Sequence, residues 1–194
     1  MTKLSVVIPT YERPDDLERC LHSLNPKRQS IEEEFEVLVT DDSSGMESKS
    51  LVENRFPFAS WDQGKKNGPA GNRNAGVARA KGEWIVFLDD DCFAMPEYLE
   101  AYSNAISQYP ETQVFEGRIF PDRPRITWAE GCPSNEKGGM LWTSNLCIRK
   151  DLFTEMNGLD ERFRVAFEDV DLAYRLKQRG MKSRFIAEAS VCHP

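Results

Sequence analysis

A parallel α/β sheet with helices on both faces is the fold this sequence predicts, on three observations. Strand-like and helix-like patterns alternate from the N-terminus. The runs at residues 4–9 (LSVVIP), 35–40 (FEVLVT) and 84–88 (WIVFL) are apolar and β-prone, and each is followed at once by polar or acidic residues. Apolar runs of this kind suit strands buried on both faces, and strands alternating with helices imply the crossovers of a doubly wound sheet. In such a sheet every strand-to-helix loop opens on one edge, where ligands bind.

Taken in order, the first strand ends in Thr10, Tyr11 and Glu12, and Pro14 then opens a helix. Leu17, Cys20, Leu21 and Leu24 fall at i, i+3, i+4 and i+7 of that helix, one apolar face. The second strand runs into Asp41, Asp42, Ser43, Ser44 and Gly45, a turn cluster bearing two acids. Residues 67–82 (NGPAGNRNAGVARAKG) predict a glycine-rich loop and a short helix to Ala80, with Gly71 or Asn72 as its cap. Arg73 is then expected in the first helical turn, where the backbone amides and the dipole favour an anion; a cation placed there faces a ligand phosphate.

The third run ends in Asp89, Asp90 and Asp91. Three adjacent carboxylates repel one another and resist desolvation, so beside a buried strand they call for a cation or a hydrogen-bonded ligand. Pro96 starts the next helix, with Leu99, Tyr102, Ala105, Ile106 and Tyr109 on its apolar side. Residues 112–120 read as a strand whose Gly117 marks a bulge or a close backbone approach. Residues 121–139 hold three prolines, Trp128 and the Gly138–Gly139 pair without a clear period, the mark of a functional or disordered loop. Residues 142–149 are extended, with Asn145 and Arg149 on one face. A last helix ends at Gly180; Glu168, Asp169 and Asp171 crowd its start, and Leu172, Ala173 and Leu176 mark its buried face. A strand-like 185–187 and a tail ending at His193 and Pro194 follow, where fraying is the default.

The totals narrow the class. With 194 residues the chain fits one domain, able to bury roughly 70% of its unfolded surface. A net charge of −7 argues against a general nucleic-acid binder, which carries a basic face. No apolar run approaches the roughly 18 residues of a membrane span, and the N-terminus reads straight into a strand, so the expected compartment is the cytoplasm. Cys20, Cys92, Cys132, Cys147 and Cys192 are an odd number, widely spaced and free of any Cys-x-x-Cys pair, which argues against a disulfide framework and a structural zinc site.

In this order and spacing, SVVIPTYERPDDLERCL, the DDSS after the second strand, GPAGNRNAGVARAKGEWIVFLDDD and FEDVDLAYRLKQRG resemble the family 2 glycosyltransferases of the GT-A fold, over most of the chain. The resemblance implies a single GT-A domain with a Rossmann-like, mostly parallel central sheet flanked by helices. Residues 1–91 would be its nucleotide-binding half and 92–194 its acceptor and catalytic-base half. It implies an inverting transfer of a sugar from a nucleotide-sugar donor, UDP-linked by preference and otherwise GDP- or dTDP-linked, to a saccharide or lipid-linked acceptor. A lipid-linked acceptor would draw the protein to the inner face of a membrane.

Carried onto this chain, the resemblance places Pro9, Thr10, Tyr11, Glu12 and Asp41 or Asp42 at the nucleoside and Arg73 at the diphosphate. Asp89 falls on the ribose side, Asp90 beside it in a structural role, and Asp91 on a Mn²⁺ or Mg²⁺ ion that His193 would help to hold. Asp169 is the implied base, with Glu168 next in line. Trp128 and Trp142 stack on a sugar or anchor their loop. Two other readings fit parts of the pattern: a nucleotidyltransferase, which lacks its glycine-rich signature after the first strand here, and a non-catalytic carbohydrate-binding module, which would need no base.

Overall fold

The computed structural model describes residues 4–124, 126 and 131–194; Trp128 lies outside the described residues. Among the described residues, eight strands form one mixed sheet in the order β3-β2-β1-β4-β7-β6-β8-β5. Its first half is the predicted parallel part. β1 (Leu4–Thr10) lies between β2 (Phe35–Asp41) and β4 (Trp84–Leu88), parallel to both, and β3 (Ala59–Gln63) extends the parallel edge. In the second half, β7 (Asn145–Arg149) runs antiparallel to β4 and to β6 (Val114–Pro121). β8 (Arg184–His193) pairs parallel with β6 and antiparallel with the two-residue β5 (Phe93–Ala94).

β1, β4 and most of β2 bury both faces, as their unbroken apolar character requires. Alternate residues divide between two cores. Val6, Ile8, Val37, Val39, Val86 and Leu88 pack with Leu17, Cys20 and Leu21 of α1 (Pro14–Ser23), Val52 of α2 (Glu47–Arg55) and Leu99 and Tyr102 of α4 (Tyr98–Gln108). Val7, Leu38, Ile85 and Phe87 face the other way, onto Val77 of α3 (Pro69–Arg79), Leu152 of α5 (Lys150–Glu155) and Leu172 and Leu176 of α6 (Glu168–Gln178). The period of two along each strand thus seats α1, α2 and α4 on one face and α3, α5 and α6 on the other.

Several elements depart from the sequence expectation. α2 and β3 have no clear pattern: α2 buries only Ser48 and Val52, and β3 is an edge strand of mixed polarity, ASWDQ. α5 is a short six-residue helix after β7. α3 starts a turn early, with Gly68 as its cap at φ 92° and Pro69 at its first position, so Gly71 and Asn72 lie inside the helix. The cap must be glycine for a second reason: a Cβ at Gly68 would stand 2.3 Å from the Arg164 carbonyl oxygen.

The tail is ordered instead of frayed. Residues 184–193 form one ten-residue strand, and His193 pairs with Pro121. β6 shifts register between Gly117 and Arg118, and a Cβ at Gly117 would lie 2.1 Å from the Ala189 carbonyl oxygen, so the residue marks both a bulge and a close backbone approach.

Candidate active site

The loops at the carboxyl ends of β1, β2 and β4 meet the start of α3, the segment before β7 and the head of α6 around a cavity of about 700 Å³. Of the residues singled out in the sequence, Pro9, Thr10, Tyr11, Asp42, Arg73, Asp89, Asp90, Trp142, Glu168 and Asp169 line it. Glu12, Asp41, Asp91 and His193 do not. Tyr11 stands 57% exposed at the mouth, as a face on which a base can pack, while Thr10 is buried beneath it.

The β2 acids hold the wall together. Asp41 is fully buried; its Oδ1 accepts the Ser43 amide at 2.7 Å and its Oδ2 the Trp61 indole N–H at 3.2 Å. Asp42 accepts the amides of Lys66 at 2.8 Å and Gly68 at 2.9 Å, which ties the end of β2 to the cap of α3. Glu12, at φ 53°, donates its amide to Ser43 Oγ at 2.6 Å. The Asp41 carboxylate therefore sits behind the wall that Asp42 presents to the cavity.

Arg73 is in the second turn of α3, not the first, and its charge is met by acids. Its Nη2 lies 2.5 Å from Asp89 Oδ1 and its Nη1 2.8 Å from Glu168 Oε1, with the side chain 6% exposed. Burial opposes the charge on Arg73, but Asp89 and Glu168 outweigh it and hold its pKa above the ordinary value. Burial pushes Glu168 up, and Arg73 partly restores it. Asp169 follows on the cavity lining, where, among the described residues, its Oδ1 accepts only the neighbouring Val170 amide. Before this pair, Phe167 adopts the left-handed region at φ 76° and is 67% exposed, an uncommon conformation for a bulky residue.

Within the triplet each carboxylate has its own environment. Asp89 pairs with Arg73. Asp90 is fully buried, accepts the Thr10 hydroxyl at 2.7 Å, and has Oδ1 2.7 Å from Arg13 Nη2, close but outside hydrogen-bond alignment. Burial raises its pKa to about 7, against the opposing pull of Arg13 and Thr10. Asp91 accepts Arg13 Nη1 at 2.8 Å on one oxygen, and His193 Nε2 stands 3.5 Å from the other.

Asp91, Cys92 and His193 offer ligand atoms within 4.8 Å of one another. Burial drives the Cys92 thiol pKa well above its ordinary value, and its soft sulfur is a poor match for a hard divalent ion. The remaining carboxylate and imidazole form a small O,N donor set that fits a hard divalent ion such as Mn²⁺ and leaves most coordination positions to other oxygens.

Among the described residues, five buried polar atoms on cavity-lining residues have no hydrogen-bond partner: Asn72 Oδ1, Arg73 Nε, Asp90 Oδ1, Ser144 Oγ and Glu168 Oε2. Unpaired buried groups of this kind cost stability, so their gathering in one cavity fits a polar ligand. The sequence reading missed Asn72 and Ser144, along with Arg13, Lys66 and Arg164 on the same wall. Ser144 carries no local signal, because its place is fixed by the turn before it. There Glu116, buried on β6, accepts the amides of Gly139 at 2.7 Å, Met140 at 3.0 Å and Leu141 at 3.2 Å and the Ser183 hydroxyl at 2.8 Å.

Comparison with known proteins gives a consistent answer. The profile of the family described as Glycosyl transferase family 2 matches residues 5–148. An uncharacterized glycosyltransferase of Haemophilus influenzae is 31% identical over 191 residues, covering 90% of this chain and 62% of that protein. The GalNAc(5)-diNAcBac-PP-undecaprenol beta-1,3-glucosyltransferase of Campylobacter jejuni is 39% identical over 97 residues, 47% of this chain and 30% of that one. Among solved structures, residues 1–349 of Staphylococcus aureus TarS in complex with UDP-GlcNAc superpose with a TM-score of 0.80 at 20% identity, over 98% of this chain and 58% of that one. The chain thus spans less than two thirds of these relatives. The structural likeness is one of fold, the GT-A arrangement of a curled mixed sheet.

Proposed function

Since this chain belongs to glycosyl transferase family 2, we propose that it transfers a sugar from a nucleotide-sugar donor to a hydroxyl acceptor with inversion. The observation that carries this reading is the convergence in one cavity of the β1 and β4 ends, Arg73 of α3 and Asp169 of α6. In this assignment the nucleoside lies against Pro9, Thr10, Tyr11 and Asp42, within residues 1–91, and Asp89 takes the ribose side. The acceptor approaches over residues 92–194, past Trp142 and Ser144. UDP is the preferred nucleotide, supported by the UDP and UDP-GlcNAc complexes of TarS. The undecaprenol- and decaprenol-linked substrates in the names of two relatives favour a lipid-linked acceptor and a peripheral place at a membrane. No helix among the described residues is long and apolar enough to cross one.

Mechanistically, Asp169 takes the proton of the acceptor hydroxyl as that oxygen attacks the anomeric carbon on the face opposite the leaving group. Its position at the cavity edge, with one oxygen engaged only by its own helix, supports that role over Glu168, whose Oε1 is committed to Arg73. Asp91 and His193 would hold a Mn²⁺ or Mg²⁺ ion, which when bound neutralises charge on the departing nucleoside diphosphate.

Thermal-shift titration of UDP, GDP and dTDP with and without Mn²⁺ tests the reading. A cognate nucleotide at 100 times its dissociation constant adds about 2.7 kcal/mol of stability. The absence of any shift with all three, Mn²⁺ included, would refute it.

A further inference from the structure

The acidic triplet does not wait uncompensated for a metal. Asp89 is paired with Arg73, and Asp90 and Asp91 share Arg13, the last residue before α1. The two arginines are held differently. Arg73 is buried and clamped between Asp89 and Glu168. Arg13 is 47% exposed, its ion pairs are with Asp90 and Asp91, and it lines the cavity beside Thr10 and Tyr11. Its Nη1 takes Asp91 Oδ2, one of the two oxygens Asp91 can offer an ion, while Oδ1 faces His193.

A divalent ion and a guanidinium a few ångströms apart repel each other even with the screening found near a protein surface, so they do not share Asp91 comfortably. The cation able to leave is Arg13, on its flexible stem, and the nearest anion site open to it is the cavity it already lines. We propose that Arg13 is an exchangeable counter-cation: it holds Asp91 while the site is empty, yields it to the metal, and moves onto the diphosphate of the donor. This rests on the assignment of Asp91 to the metal and of the cavity to a nucleotide. Arg13 is thereby a positioning residue that couples the two ligands: metal binding releases the guanidinium the nucleotide needs, and the nucleotide removes the competitor of the metal.

The coupling predicts opposite signs for one substitution. Arg13→Gln is expected to bind Mn²⁺ alone about two- to fivefold more tightly than the wild type, the range set by loss of one partly exposed ion pair. The same variant is expected to bind UDP about fivefold or more weakly when Mn²⁺ is saturating, from loss of a charge-assisted contact. Arg13→Lys should lie between the two on both measures. Free Mn²⁺ is read by electron paramagnetic resonance and UDP by calorimetry, on variants whose melting curves match the wild type. Unchanged or weaker Mn²⁺ binding in Arg13→Gln overturns the proposal, as does unchanged UDP binding. Asp91→Asn separates the underlying assignment: if it binds Mn²⁺ like the wild type, the metal site itself is misplaced. If it loses Mn²⁺ while Arg13→Gln is unaltered, only the role of Arg13 falls.

Discussion

Arg73 on α3 and Glu168 at the head of α6, 95 positions apart in sequence, form an ion pair at 2.8 Å with both side chains buried. The pair joins the nucleotide side of the cavity to the segment that carries Asp169. Removing Arg73 leaves Glu168 buried without its cation, so Arg73→Ala should lower stability by about 3–5 kcal/mol, whereas Glu168→Ala should cost less, because Arg73 keeps its pairing with Asp89. Glu168→Leu with Arg73→Met should recover much of that loss, since a buried pair replaced by apolar groups is often neutral. Chemical denaturation of the three variants measures it; a double variant no more stable than Arg73→Ala would contradict this account.

For Asp169→Asn the expected loss is in turnover alone. General-base catalysis is worth about 10²–10⁴-fold, so transfer should fall by that factor while nucleotide binding stays within about twofold. Because, among the described residues, the Asp169 carboxylate bonds only to the adjacent Val170 amide, the melting temperature should hardly move. Radiolabelled sugar transfer alongside calorimetry with UDP separates the two effects, and near wild-type transfer would return the role to Glu168.

Asp90 gives the chain an unusual pH dependence. Its pKa is raised by burial from 3.8 to about 7. Between about pH 4 and about pH 7 the folded protein holds a proton on Asp90 that the unfolded chain has lost. Stability from this group is therefore greatest at low pH, falls as the pH rises across that window, and levels off above about 7. The total is at most about 4 kcal/mol. Subtracting the pH–stability curve of Asp90→Asn from that of the wild type isolates the contribution; a flat difference would mean that Asp90 is ionised throughout.

Glu116 behaves in the opposite way. Burial alone would raise its pKa, but the amides of Gly139, Leu141 and Met140 and the Ser183 hydroxyl hold it below the ordinary value. Its contribution is present above the unfolded pKa of about 4.3 and is lost as the pH falls through the folded one. Glu116→Ala should cost about 2–4 kcal/mol, since each unsatisfied buried group costs about 1–3 kcal/mol and some amides regain water. It should also expose the turn before Trp142 to limited proteolysis. Unchanged cleavage there would show that the turn holds without the carboxylate.

The parallel half of the fold and its ligand edge were legible in the chain because their signals are local. An unbroken β-prone run such as WIVFL suits a strand covered on both faces, and in a parallel sheet Asp89 to Asp91 leave it at the edge where β1 and β2 also end. Gly117 announced its bulge for the same reason, a residue type that one backbone geometry demands. α2 and β3 were silent, since each buries too little to impose a period.

What the sequence by itself determined, then, was the set of groups at the edge: Thr10, Tyr11, Arg73, the triplet and the Glu168–Asp169 pair. The tertiary structure decided how their charges are shared. Arg73 faces two acids and not solvent, Asp41 is spent on Ser43 and Trp61, and Arg13 covers the acids that a metal would take. It also brought His193 from the far end of the chain to Asp91 by pairing β8 with β6. The physical reason is range. Burial periodicity acts over a few residues and is written in order along the chain, whereas ion pairing acts between whichever side chains the sheet brings within a few ångströms.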